Sequence, residues 1–400
     1  MSQRLAAFAA AVLVACAGPA HAAGTYDIGA SDTEIRIGNS APYSGNLSQT
    51  STGSKIAMAY FKMLNEHGGI NGRKITFLSY DDGYNPARTV EQVRRLVEQD
   101  KVLLIFMIPG TPTNLSVEKY LNQRKIPQLF AAAGASQLRD PGEFPYTVGF
   151  TPSYVGEGTI FGRYIVANMP NAKIGMLRQD DDYGRDFLDG IKRGLGDKAS
   201  MLISDVTYQP TDPTVESQVV SLQGTGADVF VNVTTPKFAA QSIRKAYDIG
   251  WHPTQFLNDV SISIGAVLKP AGLEKAKGII SAAYVKDFGD PTWANDPGVK
   301  EFASFMKEYA SEFDPNDSFT VGGFMEAQLL AEVLRRCGDD LTHANVMRHV
   351  TQLDHVKLGM LLPGITVTVT PTNYNTIADE QLVKFNGTDW GRFSKVMSGL

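Results

Sequence analysis

Strand and helix patterns alternate along this chain in two successive series. Residues 34–39 alternate apolar with polar side chains, as a short strand does, and residues 54–67 place apolar side chains at helical spacing. The apolar run of residues 102–107 is typical of a strand that is covered on both faces in a parallel sheet. A second series of the same kind starts with a helical pattern at residues 154–168. Two such series predict an α/β fold with two doubly wound, Rossmann-like lobes.

The chain changes character after the second series, which ends with a strand pattern at residues 278–283. Helical spacing then occurs at residues 297–309, 322–337 and 342–350. Residues 366–370 and 381–385 are patterned as strands. We therefore expect a C-terminal tail that is rich in β-structure.

The first 22 residues have the pattern of a secretory signal peptide. Arg4 supplies a positive charge, residues 5–17 form an apolar run, and an Ala-His-Ala sequence that ends at Ala22 matches a signal-peptidase site. The run is shorter than the roughly 20 apolar residues that a transmembrane helix needs. We therefore predict export to the periplasm and cleavage near Ala22. A lipoprotein is the alternative, because the sequence before Cys16 also matches a lipobox.

Charge and cysteine content disfavour several classes of function. The 37 Lys and Arg residues are outnumbered by 42 Asp and Glu residues, the net charge is −5, and no basic stripe occurs. Binding to nucleic acid or to an anionic membrane is therefore disfavoured. Of the two cysteines only Cys337 follows the cleavage site, so no intramolecular disulfide is expected. A chain of 400 residues buries enough surface without one, and its length favours two lobes.

The motifs that mark common enzymes are missing from the sequence. It contains neither the G-x-G-x-x-G motif nor the G-x-x-x-x-G-K-[ST] motif, whose glycine-rich loops bind phosphate groups. It also contains no G-x-S-x-G nucleophile motif and no H-E-x-x-H zinc motif. His343 and His349 lie on different faces of a predicted helix, whereas zinc needs clustered donors. The loops after the predicted strands are rich in Thr, Ser, Asn and Gly. We therefore predict no enzymatic activity, no cofactor and no metal site.

Three segments in the first part of the chain resemble one protein family. They are Ala-Pro-Tyr-Ser-Gly at residues 41–45, Asn-Glu-His-Gly-Gly-Ile-Asn-Gly-Arg at residues 65–73, and Asp-Asp-Gly-Tyr-Asn-Pro at residues 81–86. In this order they are similar to the opening of the branched-chain amino-acid-binding family, the type I periplasmic substrate-binding proteins of ABC transporters. The resemblance extends from residue 34 to the C-terminus.

The resemblance implies that three chain crossings join the two lobes and that a ligand closes the lobes like a hinge. The crossings would lie near residues 149–152, 283–287 and 354–364. The first lobe would contain residues 33–150 and 284–355, and the second lobe residues 151–283 and 356–400. The ligand is expected between the lobes, at the carboxyl ends of the parallel strands.

The family holds a ligand carboxylate with hydroxyl and backbone N–H groups from two loops of the first lobe. The matching residues here are Thr111, Thr113 and Asn114 in one loop and Ala131, Ala132 and Ala133 in the other. A helix N-terminus suits this role, because its unpaired N–H groups and partial positive charge attract an anion. The position also suits Thr113 or Asn114 as a simple helix cap, and both roles stay open.

The resemblance implies further contacts around the ligand. Tyr183 matches the aromatic residue that closes over the ligand from the second lobe. Tyr43 and Phe150 are candidates for the pocket wall, although packing in the core or hinge would explain them equally. Thr234 and Thr235 stand where the family often places an aromatic residue.

The chemical class of the ligand depends on Asp259. Amino-acid-binding members of the family supply a second-lobe carboxylate to the ligand ammonium, and the matching position here is Val260, one residue from Asp259. A one-residue shift would place Asp259 at the ammonium, which otherwise would be buried without its partner. The expected ligand is an apolar or branched-chain amino acid. The alternative is an aromatic or short-chain carboxylate that lacks an amine.

These features predict the solute-binding component of an ABC importer. We expect a monomer whose partners are a small ligand and a membrane permease. A receptor sensor domain, which uses the same fold, and an exported enzyme are the alternatives from other classes. The missing motifs disfavour the enzyme.

We expect mass spectrometry of the native protein to find Ala23 at its N-terminus, because the Ala-His-Ala sequence directs cleavage after Ala22. A diacylated Cys16 at the N-terminus would contradict this prediction and identify a lipoprotein. Cys16→Ser is the matched variant, since it abolishes acylation and leaves the Ala22 site intact.

Overall fold

The computed structural model describes residues 24–399. The predicted signal segment, with Cys16 and the cleavage site at Ala22, lies outside the described residues. The strands are β1 (Thr25–Tyr26), β2 (Glu34–Ala41), β3 (Lys74–Asp81), β4 (Leu104–Phe106), β5 (Gln128–Ala131), β6 (Thr147–Gly149), β7 (Ile174–Gln179), β8 (Leu202–Tyr208), β9 (Val229–Val233), β10 (Thr254–Leu257), β11 (Ile280–Ala283), β12 (Asp340–Leu341), β13 (Leu353–Val356), β14 (Val367–Val369), β15 (Asp379–Phe385) and β16 (Trp390–Ser398). The helices are α1 (Thr52–Glu66), α2 (Pro86–Glu98), α3 (Thr111–Gln123), α4 (Tyr154–Asn168), α5 (Asp182–Leu195), α6 (Glu216–Gly224), α7 (Pro236–Asp248), α8 (Lys269–Ala271), α9 (Leu273–Ala276), α10 (Pro297–Tyr309), α11 (Ser318–Cys337) and α12 (His343–Val350). Among residues 24–399, no helix combines the length and apolar character that a membrane crossing requires.

The described chain forms two large sheets with the same strand order. The first sheet has the order β3-β2-β4-β5-β6, with all strands parallel. The second has the parallel order β8-β7-β9-β10-β11 and is extended by the antiparallel strands β15 and β16. In each sheet the first strand lies between the second and the third, which is a doubly wound arrangement. The predicted α/β fold with two doubly wound sheets is confirmed.

Capping side chains decide where two of the helices begin. Asp317 accepts a hydrogen bond from Phe319 N at 3.1 Å, so α11 starts one turn before the position that its apolar spacing predicts. Asp181 accepts one from Gly184 N at 3.3 Å, so α5 begins at Asp182, whereas the helical spacing of the sequence predicts a start at residue 185. The second cap matters for function, because it places Tyr183 in the first turn of α5.

Helices α4 and α5 pack with their backbones almost touching. The contact is made by Gly158 and Gly162 in α4 and by Gly190 and Gly194 in α5. A Cβ on Gly190 would lie 2.3 Å from the Val155 carbonyl oxygen, closer than any side chain fits. The glycines therefore set the distance between these helices.

The connections between the sheets run close together. The chain leaves the first sheet after β6, leaves the second after β11 for helices that pack against α1, and re-enters the second at β15. Leu362 N donates to the Tyr284 carbonyl at 2.9 Å. Lys286 N donates to the Met360 carbonyl at 2.8 Å, so two connecting segments lie side by side. The boundary expected at residues 355/356 falls inside β13, which pairs with β14, and the division into lobes stays a prediction.

We expect Gly190→Ala to lower the free energy of unfolding by about 1–3 kcal/mol, because the added methyl group would force α4 and α5 apart. Urea unfolding followed by circular dichroism measures the change. The matched control is Gly224→Ala at the end of α6, where a Cβ would meet nothing within 4 Å. Equal stability of the two variants would show that the close contact does not limit the packing.

Candidate functional site

A cavity lies between the two sheets, at the carboxyl ends of their strands. It encloses about 960 Å³ of empty space, counting the part that is open to solvent. Its wall combines the segments that follow β4, β5 and β6 with those that follow β7, β9, β10 and β11, and it includes the first turns of α1 and α11. Open parallel sheets bind ligands at this place, because loops and helix N-termini converge there. We call this space the central cavity.

A second cavity of about 550 Å³ lies behind the segment that follows β11. Its wall includes Trp293, Trp390 and Arg392, and Arg392 lies over the Trp293 ring at 4.2 Å. It does not reach the strand ends of the first sheet, so the central cavity is the candidate site.

The central cavity is lined by aromatic, hydroxyl-bearing and small residues. The aromatic residues are Tyr84, Tyr154, Tyr183, Tyr284 and Phe319, and the hydroxyl-bearing aliphatic residues are Thr50, Ser54, Thr111, Thr151, Thr235 and Ser318. Two acids, Asp259 and Glu326, also line it, whereas no Lys, Arg or His of the described chain does. The wall therefore offers flat apolar surface, hydrogen-bonding groups and negative charge.

The start of α3 presents a hydroxyl group to the central cavity. Gly110 precedes the helix with φ of 89°, and a Cβ there would lie 2.3 Å from the Tyr84 ring, so glycine is required. Thr111 Oγ1 is buried near the Tyr154 phenol and has no hydrogen bond within the described chain. No side chain caps this helix, so its N-terminal dipole is left for a ligand to compensate.

The structure brings together only part of the site that the sequence predicts. Thr111, Ala132, Tyr183, Thr235 and Asp259 line the central cavity. The other predicted residues lie outside its lining: Tyr43, Thr113, Asn114, Ala131, Ala133, Phe150 and Thr234.

Thr113 and Asn114 are used inside the protein. Thr113 Oγ1 donates to the carbonyls of Pro109 and Gly110 at 2.5 and 2.9 Å. Asn114 Nδ2 donates to the Ile108 carbonyl at 2.7 Å. Both side chains therefore hold the turn before α3 in place and leave the ligand role to Thr111.

The backbone of the alanine loop is also largely paired. Ala132 N donates to the Ile108 carbonyl at 3.0 Å, and Ala133 N donates to the Ala131 carbonyl at 2.8 Å. Gly110 N donates to the Ala132 carbonyl at 3.1 Å. This loop is thus held against the start of α3. The N–H groups of Ala132 and Ala133 already donate within the protein.

The remaining predicted residues pack or bond elsewhere. The Tyr43 hydroxyl shares a hydrogen bond of 2.5 Å with Ser79 Oγ. Phe150 packs edge-on against Phe130, with 6.2 Å between the ring centroids. Thr234 Oγ1 donates to Asn232 Oδ1 at 2.7 Å. Tyr43, Phe150 and Thr234 therefore stabilise the structure around the cavity without lining it.

Asp259 belongs to a cluster of three buried acids on the side of the second sheet. The others are Glu157 and Glu380, and one carboxylate oxygen of each lies within 4.8 Å of the others. Asp259 N donates to Glu157 Oε1 at 2.8 Å. The carboxyl groups of Glu157 and Asp259 lie within hydrogen-bonding reach of each other, so a proton on Glu157 would donate to the Asp259 carboxylate. Glu380 Oε1 is buried without a hydrogen-bond partner in the described chain. Asp259 is the member that reaches the central cavity.

The three acids differ in how readily they ionise. Burial, reinforced by the neighbouring acids, raises the pKa of Glu157 and of Glu380 well above the usual range. Burial raises the pKa of Asp259 to about 6, against the opposing effects of Glu157 and of the Arg139 guanidinium. Asp259, which faces the cavity, is therefore the acid of the cluster that ionises most readily.

Tyr183 forms part of a rigid aromatic wall. Its ring packs edge-on against Tyr154 with 4.7 Å between the centroids. The amide of Asn258 fits its surroundings when its oxygen faces Tyr183, and the Tyr183 hydroxyl then donates to that oxygen at 2.7 Å. Both rings are thus fixed before a ligand arrives.

Hydrogen bonds bridge the two halves of the molecule beside the cavity. Asn46 Nδ2 donates to the Pro210 carbonyl at 3.1 Å, and Lys237 Nζ donates to Asn46 Oδ1 at 3.1 Å. Elsewhere Asp186 accepts from Ser136 N at 2.6 Å and from Ser136 Oγ at 2.9 Å. These hydrogen bonds connect segments that follow strands of the two sheets.

Sequence reasoning missed several residues of the wall, including Tyr84, Tyr284, Phe319 and Glu326. Tyr284 belongs to a connecting segment, and Phe319 and Glu326 belong to α11, far along the chain from the strand-end loops. One signal was present, since Glu326 interrupts the apolar stretch of a predicted helix.

Comparisons with known proteins agree with this geometry. A family model described as "Periplasmic binding protein" matches residues 34–387. The chain is 22% identical over 352 residues to Leu/Ile/Val-binding protein homolog 7 of Brucella abortus (strain 2308), covering 84% of this chain and 83% of that protein. These proteins bind ligands and are not enzymes, as predicted, and the predicted family resemblance is confirmed.

Solved structures share the fold at low sequence identity. A branched chain amino acid ABC transporter protein from Thermus thermophilus with bound valine superposes with a TM-score of 0.82 at 16% identity, covering 92% of this chain and 97% of that chain. A solute binding protein from R. palustris in complex with benzoate superposes with a TM-score of 0.76 at 15% identity, covering 91% of this chain and 98% of that chain.

Proposed function

Because the chain belongs to the periplasmic binding protein family, we propose that it is the solute-binding component of an ABC importer and captures an amino acid between its two lobes. The observation that carries the proposal is the buried Asp259 carboxylate, which lines the central cavity although no Lys, Arg or His of the described chain lines it. A ligand ammonium would supply the missing positive charge. The partner protein would be a membrane permease, and the place of action the periplasm.

The start of α3 would receive the carboxylate of the ligand. The Thr111 hydroxyl is buried and unpaired, and it stands at the positive end of an uncapped helix. Because Asp259 and Thr111 come from segments of different sheets, one ligand that contacts both would hold the sheets together.

A carboxylate without an amine is the second candidate ligand, and Val260 favours it. Val260 lines the central cavity beside Asp259, and its apolar side chain would pack against a ring. Valine in the Thermus thermophilus protein and benzoate in the R. palustris protein show that related folds take either class. Here the buried carboxylate of Asp259 favours the amine, because a ligand without one would leave its charge without a positive partner in the cavity.

We expect Thr111→Val to weaken amino-acid binding about 10- to 100-fold, because a hydroxyl that donates to a charged oxygen contributes roughly 1.5–3 kcal/mol. Thr113→Val is the matched control. It should lower stability instead, since Thr113 Oγ1 bonds to two backbone carbonyls, and should leave affinity unchanged. Calorimetric titration and thermal unfolding separate the two effects. Weaker binding in the Thr113 variant alone would reverse the roles of the threonines.

We expect Asp259→Asn to weaken binding of norleucine at least about 30-fold, because a desolvated ammonium would lose its counter-charge. Hexanoate, which has the same skeleton without the amine, should bind the variant and the parent protein equally. Calorimetric titration of both ligands makes the comparison. If both ligands weaken equally, or if the parent protein prefers hexanoate, the protein carries amine-free carboxylates.

The pH dependence of affinity checks the same contact. The raised pKa of Asp259, about 6, means that the empty site takes up a proton below that pH and must release it before it pairs with an ammonium. Affinity for norleucine should therefore fall as the pH is lowered from 7 to 5, by up to about tenfold per pH unit below the pKa. The Asp259→Asn variant should lack this dependence.

A further inference from the structure

Glu326 is a buried acid in the wall of the central cavity. It lies in the middle of α11, lines the central cavity and is 3% exposed. Its Oε2 is buried and has no hydrogen-bond partner within residues 24–399. Burial raises the pKa of Glu326 well above the usual range, and no neighbouring positive charge opposes the rise. Such a group costs stability until a partner arrives.

The surroundings of Glu326 leave its carboxylate accessible from the cavity. Gly322, one turn earlier, also lines the cavity, and a Cβ there would lie 4.0 Å from Glu326 Oε1. Gly323 packs against Gly53 of α1, where a Cβ would lie 2.4 Å from the Gly53 carbonyl oxygen. The contact between Gly323 and Gly53 thus brings α1 and α11 together. Gly322 leaves the space beside the Glu326 carboxylate free of a side chain.

Glu326 and Asp259 reach the cavity from different sides. Glu326 belongs to α11, which packs against α1, whereas Asp259 follows β10 of the second sheet. The buried phenol of Tyr284 lies near both acids, because burial and then the charges of Asp259 and Glu326 raise its pKa well above the usual range. A ligand that is long enough to contact both residues would therefore have one acid near each of its ends.

The rest of the wall also suits positive charge. No Lys, Arg or His of the described chain lines the cavity, while Tyr84, Tyr154, Tyr183, Tyr284 and Phe319 do. Aromatic faces attract cations, and the attraction is strongest where water is excluded. A basic nitrogen of the ligand would stabilise the ionised form of Glu326, because the described cavity wall supplies no positive charge of its own.

We propose that the ligand is an amino acid whose side chain ends in a basic nitrogen, and that Glu326 receives that nitrogen. The proposal rests on the proposed function, because it takes the α-ammonium at Asp259 as the first contact. Glu326 is then the residue that determines side-chain specificity, and Tyr284 lines the cavity near both acids.

The test compares ligands that differ only in the terminal nitrogen. Ornithine, lysine and arginine are titrated calorimetrically beside norvaline and norleucine, into the parent protein and the Glu326→Gln variant. The parent protein should bind at least one basic amino acid more than about tenfold more tightly than its apolar counterpart. Glu326→Gln should weaken that ligand about 100-fold and change norvaline or norleucine by less than about twofold. Glu118→Gln is the control, because Glu118 is also buried but lies outside the cavity.

The possible failures are distinguishable. If norleucine or norvaline binds as tightly as every basic amino acid, or if the preference survives in Glu326→Gln, the assignment of Glu326 is overturned and the amino-acid function stands. If no amino acid binds while hexanoate does, the amino-acid function fails and the assignment fails with it. A loss of all binding in both Glu118→Gln and Glu326→Gln would identify a folding defect. The variant Glu326→Asp, which keeps the carboxylate, is then decisive. If it loses the preference for the basic ligand, the assignment of Glu326 is overturned.

Discussion

Carboxylates that are buried between two lobes must keep their protons or find positive partners, and the central cavity is organised around this requirement. Burial raises the pKa of Glu157 and of Glu380 behind the wall, and Arg139 lies near the cluster with its own pKa lowered to about 10 by burial. Asp259 ionises closest to neutrality and faces the ligand space. The repeated strand order brings this acid opposite the uncapped start of α3, so the two ends of a zwitterion would be separated by the geometry of the sheets.

Much of the fold follows from patterns that are local in sequence. Alternation and helical spacing locate most strands of both sheets, because buried parallel strands and amphipathic helices leave clear periodic signals. The three-residue strand β6 is too short to leave such a signal. The signals weaken where a side chain overrides the pattern: Asp317 and Asp181 start α11 and α5 early by capping them. Strand β16 was not predicted, since most of its residues are exposed or half-exposed and lack a buried alternation.

The site was predicted less completely, for a reason that is also physical. Ligands of parallel sheets bind at the segments that follow the strands, and Thr111, Tyr183 and Asp259 lie in such segments. Residues such as Thr113 occupy the same loops but spend their hydrogen bonds on neighbouring carbonyls, and only the folded geometry shows which way a hydroxyl points. Tyr284 and Glu326 reach the cavity through long-range packing, which no local pattern encodes.

The glycine contact between α4 and α5 has a mechanical consequence. Tyr154 begins α4 and Tyr183 lies in the first turn of α5, so two helices whose backbones touch hold both rings as one stiff plate. A ligand cannot displace one of the two rings without moving the helix pair. The two tyrosine side chains therefore lose little conformational entropy on binding. Adaptation to a new ligand would have to take place on the opposite wall, where single side chains of α11 and of the connecting segment can change without moving a helix pair.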